Sequence, residues 1–398
     1  RKSDMRKATV SMFAQIVQQL PKNLFLNLVQ KYQTDKGAKG LNTWDQLVAM
    51  LYCQLSGAQS LREISDGLYS SLGKLNHVGA HAVARSTLSY ANQHRDYRVY
   101  RDFYYGLLEH FQNTLTGARV KRICSSKKIF SLDSTTIGLC LKLFDWARFQ
   151  KTKGGIKLHT LLDNDTLMPA FIAVTEAAVS DIKAAKTLVD LPQNSILVVD
   201  RGYYDFNWYR QLTKRNITFV TRIKENTKVK HIKKIEVDKN EKWGCYEISL
   251  KSEEKAFEKG RIKSLPKYRL VQWKDQDSGR WFEFLTNDFK LTAQEIAAIY
   301  KDRWQIELFF KKLKQNLKIK SFVGTTLNAV MVQIWTALII TLMLEILKRR
   351  SKYPWSFSRL CNYLRLNLMT CKDLKDWLNQ PDIVPLKPLE SSPQACLF

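Results

Sequence analysis

The apolar residues change their period near residue 127, and this change constrains the fold more than any other feature of the chain. Before it, segments such as 13–20 carry apolar residues at helical spacing. After it, residues 129–137, 155–162 and 168–175 are three adjacent strand-like runs. Three neighbouring strands, followed by alternating helices and strands, predict an α/β fold with a mixed sheet and helices packed on it.

The alternating part of the chain is followed by a segment of different character. The predicted elements are helix, strand, helix and strand over 181–189, 195–200, 206–214 and 217–222. Residues 224–285 then combine many cations with short aromatic strands, which predicts a β-rich insertion. After the insertion, Thr292 is predicted to cap the helix that carries Glu307.

Two features of the helical parts leave alternatives open. The helices predicted at 61–68 and 85–92 could form a DNA-reading helix-turn-helix, and a plain helical bundle fits their periodicity equally well. Residues 329–347 are nearly long enough to span a bilayer, but they include Gln333 and Glu345. We therefore predict a buried core helix there and no membrane segment.

The charge of the chain indicates its class of partner. Its 64 Lys and Arg residues against 37 Asp and Glu residues give a formal net charge of +27. Nucleic acid is the expected partner of so basic a protein. Membrane-surface binding is the alternative, but the cations are not gathered on one amphipathic helix. The seven cysteines form no Cys-x-x-Cys pair, which favours reduced thiols in the cytoplasm over a structural zinc site.

Residues 300–314 predict an amphipathic helix with a distinctive polar face. On a helix, the positions of this face lie within about 80° of one another. They are Tyr300, Arg303, Glu307, Lys311 and Lys314. A single carboxylate among cations suits a site that holds a metal and a phosphate together, and an Arg can bind a phosphate through two nitrogens. A surface helix with i,i+4 ion pairs is the ordinary alternative.

Two aspartates follow apolar strand runs. Asp133 comes after residues 130–132, and Asp200 comes after residues 196–199. Open sheets bind ligands at the carboxyl ends of their strands, and a carboxylate placed there needs a counter-charge such as a divalent metal. Taken singly, each aspartate is equally well explained as the cap of a turn. Glu176 is a rival third carboxylate, but it lacks the cationic helix face of Glu307.

Together, Asp133, Asp200 and Glu307 would form an oxygen-rich site suited to Mg²⁺ or Mn²⁺. Two such ions can activate an attacking hydroxyl and stabilise the leaving oxygen in phosphodiester cleavage. Lys311 and Lys314 would then hold the phosphates of a bound strand. The set predicts DNA-strand chemistry without a nucleophilic side chain.

These residues resemble the DDE insertion-sequence transposases of the branch that carries a Tyr-Arg-Glu-Lys signature. Relative to Glu307, the Tyr, the Arg and two Lys residues lie at −7, −4, +4 and +7. Asp200 precedes Glu307 by 107 residues, which fits an inserted domain. The resemblance covers most of the chain. It implies a ribonuclease-H-like core interrupted by a β-rich insertion and preceded by an all-helical DNA-binding domain.

The resemblance also implies roles for individual residues. Asp133, Asp200 and Glu307 would bind two Mg²⁺ ions, for which Mn²⁺ could substitute. The transposon end would be held by Tyr300, Arg303, Lys311, Lys314, Trp304 and Arg201. Members of this branch cut through a hairpin, which requires a flipped base stacked on an aromatic ring. The candidate rings are those of Trp243, Trp273, Trp281 and Trp304.

The activity, the partners and the domains follow from the same resemblance. The chain would bind the terminal inverted repeats of its element, cleave the ends and join the 3′ ends to target DNA. It would act on double-stranded DNA as a homodimer in the synaptic complex, in the bacterial cytoplasm at the nucleoid. An inactive DNA-binding protein derived from a transposase and a ribonuclease-H-like nuclease without strand transfer are the alternatives. The predicted helical DNA-binding domain covers 1–122. The catalytic core is predicted in two parts, 123–223 and 289–350, with the β-rich insertion at 224–288 between them. A helical appendage with a loose tail covers 351–398.

Overall fold

The computed structural model describes residues 9–71, 73–116, 127–140, 142–150, 153–188, 190–240, 242–319 and 321–381. Within these residues, ten strands form one mixed sheet that is flanked by helices. The strands are β1 (Ile129–Leu139), β2 (Arg148–Gln150), β3 (Lys153–Asp163), β4 (Met168–Glu176), β5 (Ile196–Val199), β6 (Thr218–Arg222), β7 (Val229–Val237), β8 (Trp243–Leu250), β9 (Tyr268–Lys274) and β10 (Trp281–Thr286). The helices are α1 (Met12–Val17), α2 (Lys22–Tyr32), α3 (Thr43–Ser56), α4 (Leu61–Tyr69), α5 (Arg85–His94), α6 (Arg98–His110), α7 (Gln112–Thr116), α8 (Asp181–Leu188), α9 (Phe206–Lys214), α10 (Lys251–Glu258), α11 (Ala293–Asp302), α12 (Trp304–Asn316), α13 (Leu327–Arg350), α14 (Phe357–Asn367) and α15 (Leu374–Asn379).

The strand order confirms the predicted α/β, ribonuclease-H-like mixed sheet. β1 pairs antiparallel with β3 and parallel with β5, and β5 pairs parallel with β6. β2 and β4 both pair antiparallel with β3. All four residues of β5 are buried, which explains why this strand is a continuous apolar run. Thr292 caps α11 through a reciprocal capping box with Glu295, which confirms the predicted cap, but Glu307 lies on the next helix, α12.

The β-rich insertion extends this same sheet. β10 pairs antiparallel with β6, and β9, β8 and β7 follow in that order toward the edge. α10 lies between β8 and β9 along the chain. The insertion therefore adds four strands to the sheet that carries β1 and β5.

α13 is the central helix of the helical layer. It is long and apolar enough to cross a membrane, but the whole of its most apolar stretch is buried inside the protein. Trp335, near its middle, packs against Tyr104 and Tyr105 with ring centroids 5.8 and 5.7 Å apart. A helix that is apolar on all sides must be enclosed on all sides. The prediction of a buried core helix is confirmed.

The amino-terminal and carboxyl-terminal helices share one hydrophobic core. Side chains of α1–α7 pack with those of α12–α15 and with residues of β1, β3 and β4. Near the two ends of the chain, Met12 N donates to Thr370 O at 2.9 Å. The predicted boundary near residue 122 and the last part of the predicted 351–398 segment, residues 382–398, lie outside the described residues. The five predicted domains stay predictions.

The helices α4 and α5 do not form a tight helix-turn-helix. Residues 70–84 separate them and include a short 3₁₀ helix, Asn76–Val78. A helix-turn-helix motif joins its helices by a turn of about 3–4 residues. The plain helical bundle, the other alternative from the sequence, describes this region.

Candidate active site

Asp133 and Asp200 lie side by side on the sheet. The register pairs Leu132 with Val199 across the parallel strands β1 and β5, and an aspartate follows each of them. Asp200 is the first residue after β5, whereas β1 continues past Asp133 because β3 still pairs with it there. Both carboxylates therefore stand at the same level of the sheet.

The turn after β5 fixes the Asp200 carboxylate. Its Oδ1 accepts a hydrogen bond from Gly202 N at 2.7 Å at the start of the short 3₁₀ helix Arg201–Tyr203. A Cβ on Gly202 would lie 2.9 Å from this oxygen, so the close approach requires glycine. Burial, together with the charges of Asp133 and Asp200, raises the pKa of Tyr203 in the same turn.

A bend interrupts the helix that the sequence predicts over 300–314. α11 ends at Asp302 and α12 begins at Trp304. At the junction, Arg303 N donates to Tyr300 O at 3.1 Å. A bond to the carbonyl three residues back is typical of a 3₁₀ turn. The prediction of one continuous helix is wrong at this point.

The bend lies between helices that pack in different cores. Ile296 and Ile299 of α11 are buried in a core formed with β6, β8, β9 and β10. Ile306 and Phe309 of α12 belong instead to the core shared with the amino-terminal helices. α12 also packs on β1, and this contact brings Glu307 to the site.

Arg303 joins two of the three carboxylates. Its guanidinium nitrogens lie 3.4 Å from Asp133 Oδ2 and 2.5 Å from Glu307 Oε1. Only 15% of the Arg303 side chain is exposed, and its Nε has no hydrogen-bond partner among the described residues. Arg303 therefore neutralises part of the negative charge of the site and connects Glu307 to the sheet.

The pKa of the Asp133 carboxyl shows that the three acids share one environment. Burial raises this pKa to about 6, and a hydrogen bond from Ser134 N opposes the rise. The negative charges of Asp200 and Glu307 raise it further, while Arg303 lowers it. The carboxylates are thus close enough to repel one another.

The raised pKa predicts how stability depends on pH. Asp133 binds its proton more tightly in the folded protein than in the unfolded one. Without divalent metal, its contribution to the free energy of unfolding should therefore fall as the pH rises from about 4 to about 6. Asp133→Asn should remove this contribution. Urea unfolding of both proteins across this range measures the effect, and parallel pH profiles would contradict it.

The donor set fits a divalent metal in its chemistry. Among the described residues, no group of three or more His, Cys, Asp or Glu side chains is arranged to hold a metal ion. Asp133, Asp200 and Glu307 nevertheless supply the carboxylate oxygens that Mg²⁺ and Mn²⁺ prefer. A bound cation would also relieve the repulsion that raises the pKa of Asp133.

Two of the residues predicted to contact DNA, Tyr300 and Lys314, are held in place by neighbouring residues. The Tyr300 ring packs 5.0 Å from that of Phe284, and the Arg303 guanidinium lies 5.8 Å from the Tyr300 centroid. Lys314 Nζ donates to Thr136 O at 2.9 Å, which fixes this lysine against β1. Both residues therefore help to shape the site.

The other predicted contacts are more accessible. Lys311 is exposed on α12. Trp304 is 56% exposed at the start of the same helix. Arg201, directly after Asp200, pairs with the exposed Glu225 at 3.3 Å. An exposed pair of this kind is weak and easily exchanged for another anion.

An aromatic cavity of about 620 Å³ opens beside the bend. Its walls come from β9, β10 and the loop between them, and from α11, Arg303 and Trp304. The aromatic lining consists of Trp273, Phe282, Phe284, Tyr300 and Trp304. Of the four candidate stacking residues, Trp273 and Trp304 line the cavity, whereas Trp243 and Trp281 are not part of its wall.

A polar cluster next to Asp133 was missed at the level of sequence. Asp181 Oδ1 accepts a hydrogen bond from Ser134 Oγ at 2.6 Å and lies 3.2 Å from Lys157 Nζ and 3.7 Å from His159 Nδ1. Burial lowers the pKa of His159, which favours a neutral imidazole. Strand pairing between Ser134 and His159 assembles the cluster. The sequence signals were the position of Asp181 at the start of a predicted helix and the closeness of His159 to Lys157 on a predicted strand, where a satisfied sheet histidine was the favoured interpretation.

Comparison with known proteins decides the family. Residues 125–343, more than half of the chain, match the family described as Transposase DDE domain. The chain belongs to the DDE transposase family. The matched region of this transposase contains Asp133, Asp200 and Glu307, and the family depends on divalent metal in general. Residues 9–81 match a domain of unknown function, DUF4372.

Three curated proteins named as transposases are similar to this transposase. The protein y4zB of Sinorhizobium fredii is 32% identical over 64% of the chain and 70% of its own length. The IS5377 protein of Geobacillus stearothermophilus is 27% identical over 57% and 58%. The IS4SA protein of Synechocystis is 29% identical over 70% and 75%. The predictions of an insertion-sequence DDE transposase and of an enzyme are confirmed, and the Tyr-Arg-Glu-Lys branch stays a prediction.

A solved piggyBac transposase synaptic complex with hairpin DNA is a distant structural neighbour. It aligns over 93% of this chain and 80% of its own, with 9% sequence identity and a TM-score of 0.42. Similarity at this level is too low to establish a shared fold.

Proposed function

We propose that this transposase binds the terminal inverted repeats of its insertion sequence, cleaves the transposon ends and joins the freed 3′ ends to target DNA. The observation that supports this best is the strand pairing that sets Asp133 and Asp200 at one level of the sheet, with Arg303 in contact with both Asp133 and Glu307. The net charge of +27 supports DNA as the partner. The signature spacing around Glu307 supports the Tyr-Arg-Glu-Lys branch.

Asp133, Asp200 and Glu307 are proposed to hold two Mg²⁺ ions, with Mn²⁺ as a substitute. When bound, such ions activate the attacking hydroxyl and stabilise the leaving oxygen of a phosphodiester. The chain places two of the carboxylates by strand pairing and the third by α12. Arg303 contacts one carboxylate oxygen of Glu307, and its guanidinium would also suit a DNA phosphate.

The residues around the carboxylates are proposed to hold the transposon end. Lys311 is exposed, and Arg201 needs only to leave a weak surface pair to bind a phosphate. Lys314 and Tyr300 are held in place by neighbouring residues, so their positions are already set before DNA binds. Arg303 and Trp304 complete the set at the bend between α11 and α12.

Cleavage is proposed to pass through a hairpin, with a flipped base held in the aromatic cavity. Trp304 is the favoured platform because it lines the cavity, stays exposed and follows Arg303 directly. Trp304→Ala should slow hairpin formation about tenfold and leave the first nick unchanged, since stacking stabilises by about 1–3 kcal/mol per base. Denaturing gels of end-labelled DNA separate the two steps.

Trp281→Ala is a matched control for this variant. Trp281 is similarly exposed, at 51%, but does not line the cavity. It should leave both steps at the wild-type rate. If Trp304→Ala slowed nicking and hairpin formation equally, stacking in the cavity would not be its role.

Labelled terminal-repeat DNA incubated with the protein, Mg²⁺ and a target plasmid tests the proposed function. A transposase cuts at the ends and produces joined molecules. DNA that is shifted but uncut would favour an inactive DNA-binding protein derived from a transposase. Cutting without joining would favour a nuclease without strand transfer.

We also propose a homodimer as the active assembly, because two ends must be paired in one synaptic complex. The cytoplasm, at the bacterial nucleoid, is the proposed location. The helical segment 1–122 is proposed as the end-binding domain, with the core at 123–223 and 289–350, the insertion at 224–288 and the appendage at 351–398.

A further inference from the structure

One side of α5 is an uninterrupted polar surface. Its exposed positions lie within about 120° of one another around the helix axis. They are Ser86, Thr87, Tyr90, Gln93 and His94, while Arg85, the first residue of the helix, is exposed outside this arc. The opposite side carries Leu88, Ala91 and Asn92, which are buried. α5 therefore has one face anchored in the helical layer and one face open to solvent.

The chemistry of the open face differs from that of an ordinary solvated helix. In a chain with 25% charged residues, the face has neither Asp nor Glu. The side chains of Ser86, Thr87 and Gln93 make no hydrogen bond to any described residue. Gln binds adenine through two hydrogen bonds, and Ser and Thr bond to the edges of several bases. These are the side chains that read a major groove.

A groove of about 430 Å³ runs beside this face. It lies between α5 and the loop after α2, and its lining includes Lys36, Lys39, Thr87, Tyr90 and His94. Both lysines are exposed. Cations flanking a row of neutral polar side chains match the division of labour on DNA, where phosphate contacts position the protein and base contacts specify the sequence.

The open face is held rigidly relative to the catalytic core. Asn328, at the start of α13, donates from Nδ2 to Asn92 O at 2.9 Å and to Arg95 O at 2.6 Å. The buried Asn92 amide also accepts a hydrogen bond from Gln46 at 2.8 Å. The Tyr90 ring is stacked on that of His94 with centroids 4.1 Å apart. A duplex held on α5 would thus keep a fixed orientation to α13.

We propose that α5 is the helix that reads the terminal-repeat sequence, lying in the major groove with Lys36 and Lys39 on the flanking phosphates. This inference rests on the proposed function, in which the chain recognises its element's ends. α5 lies between the two regions that match known families, 9–81 and 125–343. Neither family match therefore covers this helix.

Selection from a library of random-sequence DNA duplexes tests the inference with the full chain. Wild type should enrich one motif. The double variant Thr87→Ala, Gln93→Ala should bind that motif at least about tenfold more weakly, because each lost base contact costs about this much. It should bind an unselected duplex as wild type does. The double variant Lys36→Gln, Lys39→Gln should lower the affinity for all DNA sequences alike. The slope of log affinity against log salt concentration should fall by the amount expected for about two lost phosphate contacts.

Asn27→Ala, Gln30→Ala on α2 is the matched control. Both side chains are exposed and polar on another helix of the same bundle, so the enriched motif and its affinity should stay those of wild type. Circular dichroism should be the same for all variants. If Thr87→Ala, Gln93→Ala bound the wild-type motif with wild-type affinity, the assignment to α5 would be overturned while end recognition stood. If wild type enriched no motif, the proposed end recognition and this inference would both fail.

Discussion

Glu307→Gln should abolish cleavage of the transposon ends while leaving DNA binding intact. Glutamine has the shape of glutamate but lacks the charge that a divalent metal requires of its ligand. We expect the cleavage rate to fall by at least about 10³-fold, since losing one electrostatic contact to a transition state already costs about 10²–10³-fold. The fold should tolerate the change, because the glutamine side chain keeps an oxygen that can accept a hydrogen bond from Arg303, and Arg303 still contacts Asp133.

Cleavage and binding must be measured on the same preparation. Denaturing gels of labelled terminal-repeat DNA with Mg²⁺ give the rate, and mobility shifts without metal give the affinity. Glu176→Gln is the control, since Glu176 is the rival carboxylate and is exposed on β4. It should cut normally. Cleavage at the wild-type rate by Glu307→Gln would remove Glu307 from the proposed metal site.

Gln333→Leu should destabilise the fold by about 2–4 kcal/mol, since it removes three hydrogen bonds to partly buried backbone groups, each worth about 0.5–1.5 kcal/mol. Gln333 is fully buried on α13. Its Nε2 donates to Lys318 O at 2.6 Å and to Ser321 O at 2.8 Å, and its Oε1 accepts from Val323 N at 2.9 Å. Leucine fills a similar volume but removes all three hydrogen bonds.

Urea unfolding followed by circular dichroism measures this loss. Met331→Leu, two residues earlier on the same helix, changes the shape of a buried side chain without removing a hydrogen bond. It should cost less than about 1.5 kcal/mol. If the two variants had the same unfolding midpoint, the Gln333 bonds would not hold the segment that follows α12.

Gln333 also shows what the local sequence pattern can predict and what it cannot. In the sequence, one amide within an apolar run of membrane-spanning length favoured a buried helix over a membrane helix. The structure supplies the reason, because the amide satisfies the backbone of a segment that begins 15 residues earlier along the chain. Periodicity identified the helix, but the partners of its polar groups depend on contacts that no local pattern encodes.

The candidate active site was also only partly predictable from the sequence. The apolar runs before Asp133 and Asp200 and the cations around Glu307 were visible in the sequence, because strand and helix periods are local properties. The bend at Arg303 was not, since it lies between two helices that pack in different cores with residues distant in the sequence. The contact of Arg303 with Asp133 was invisible for the same reason.

By itself, the sequence determined the mixed sheet, its β-rich insertion, the buried central helix and the signature residues of a DDE transposase. These follow from side-chain spacing and residue type along a single stretch of chain. Only the tertiary structure decided that Asp133 and Asp200 share a level, that Asp181 joins the cluster beside them, and that α5 turns a neutral polar face to solvent. Each of these depends on packing between elements that are distant in the sequence. The burial of apolar faces determines this packing for the whole chain together.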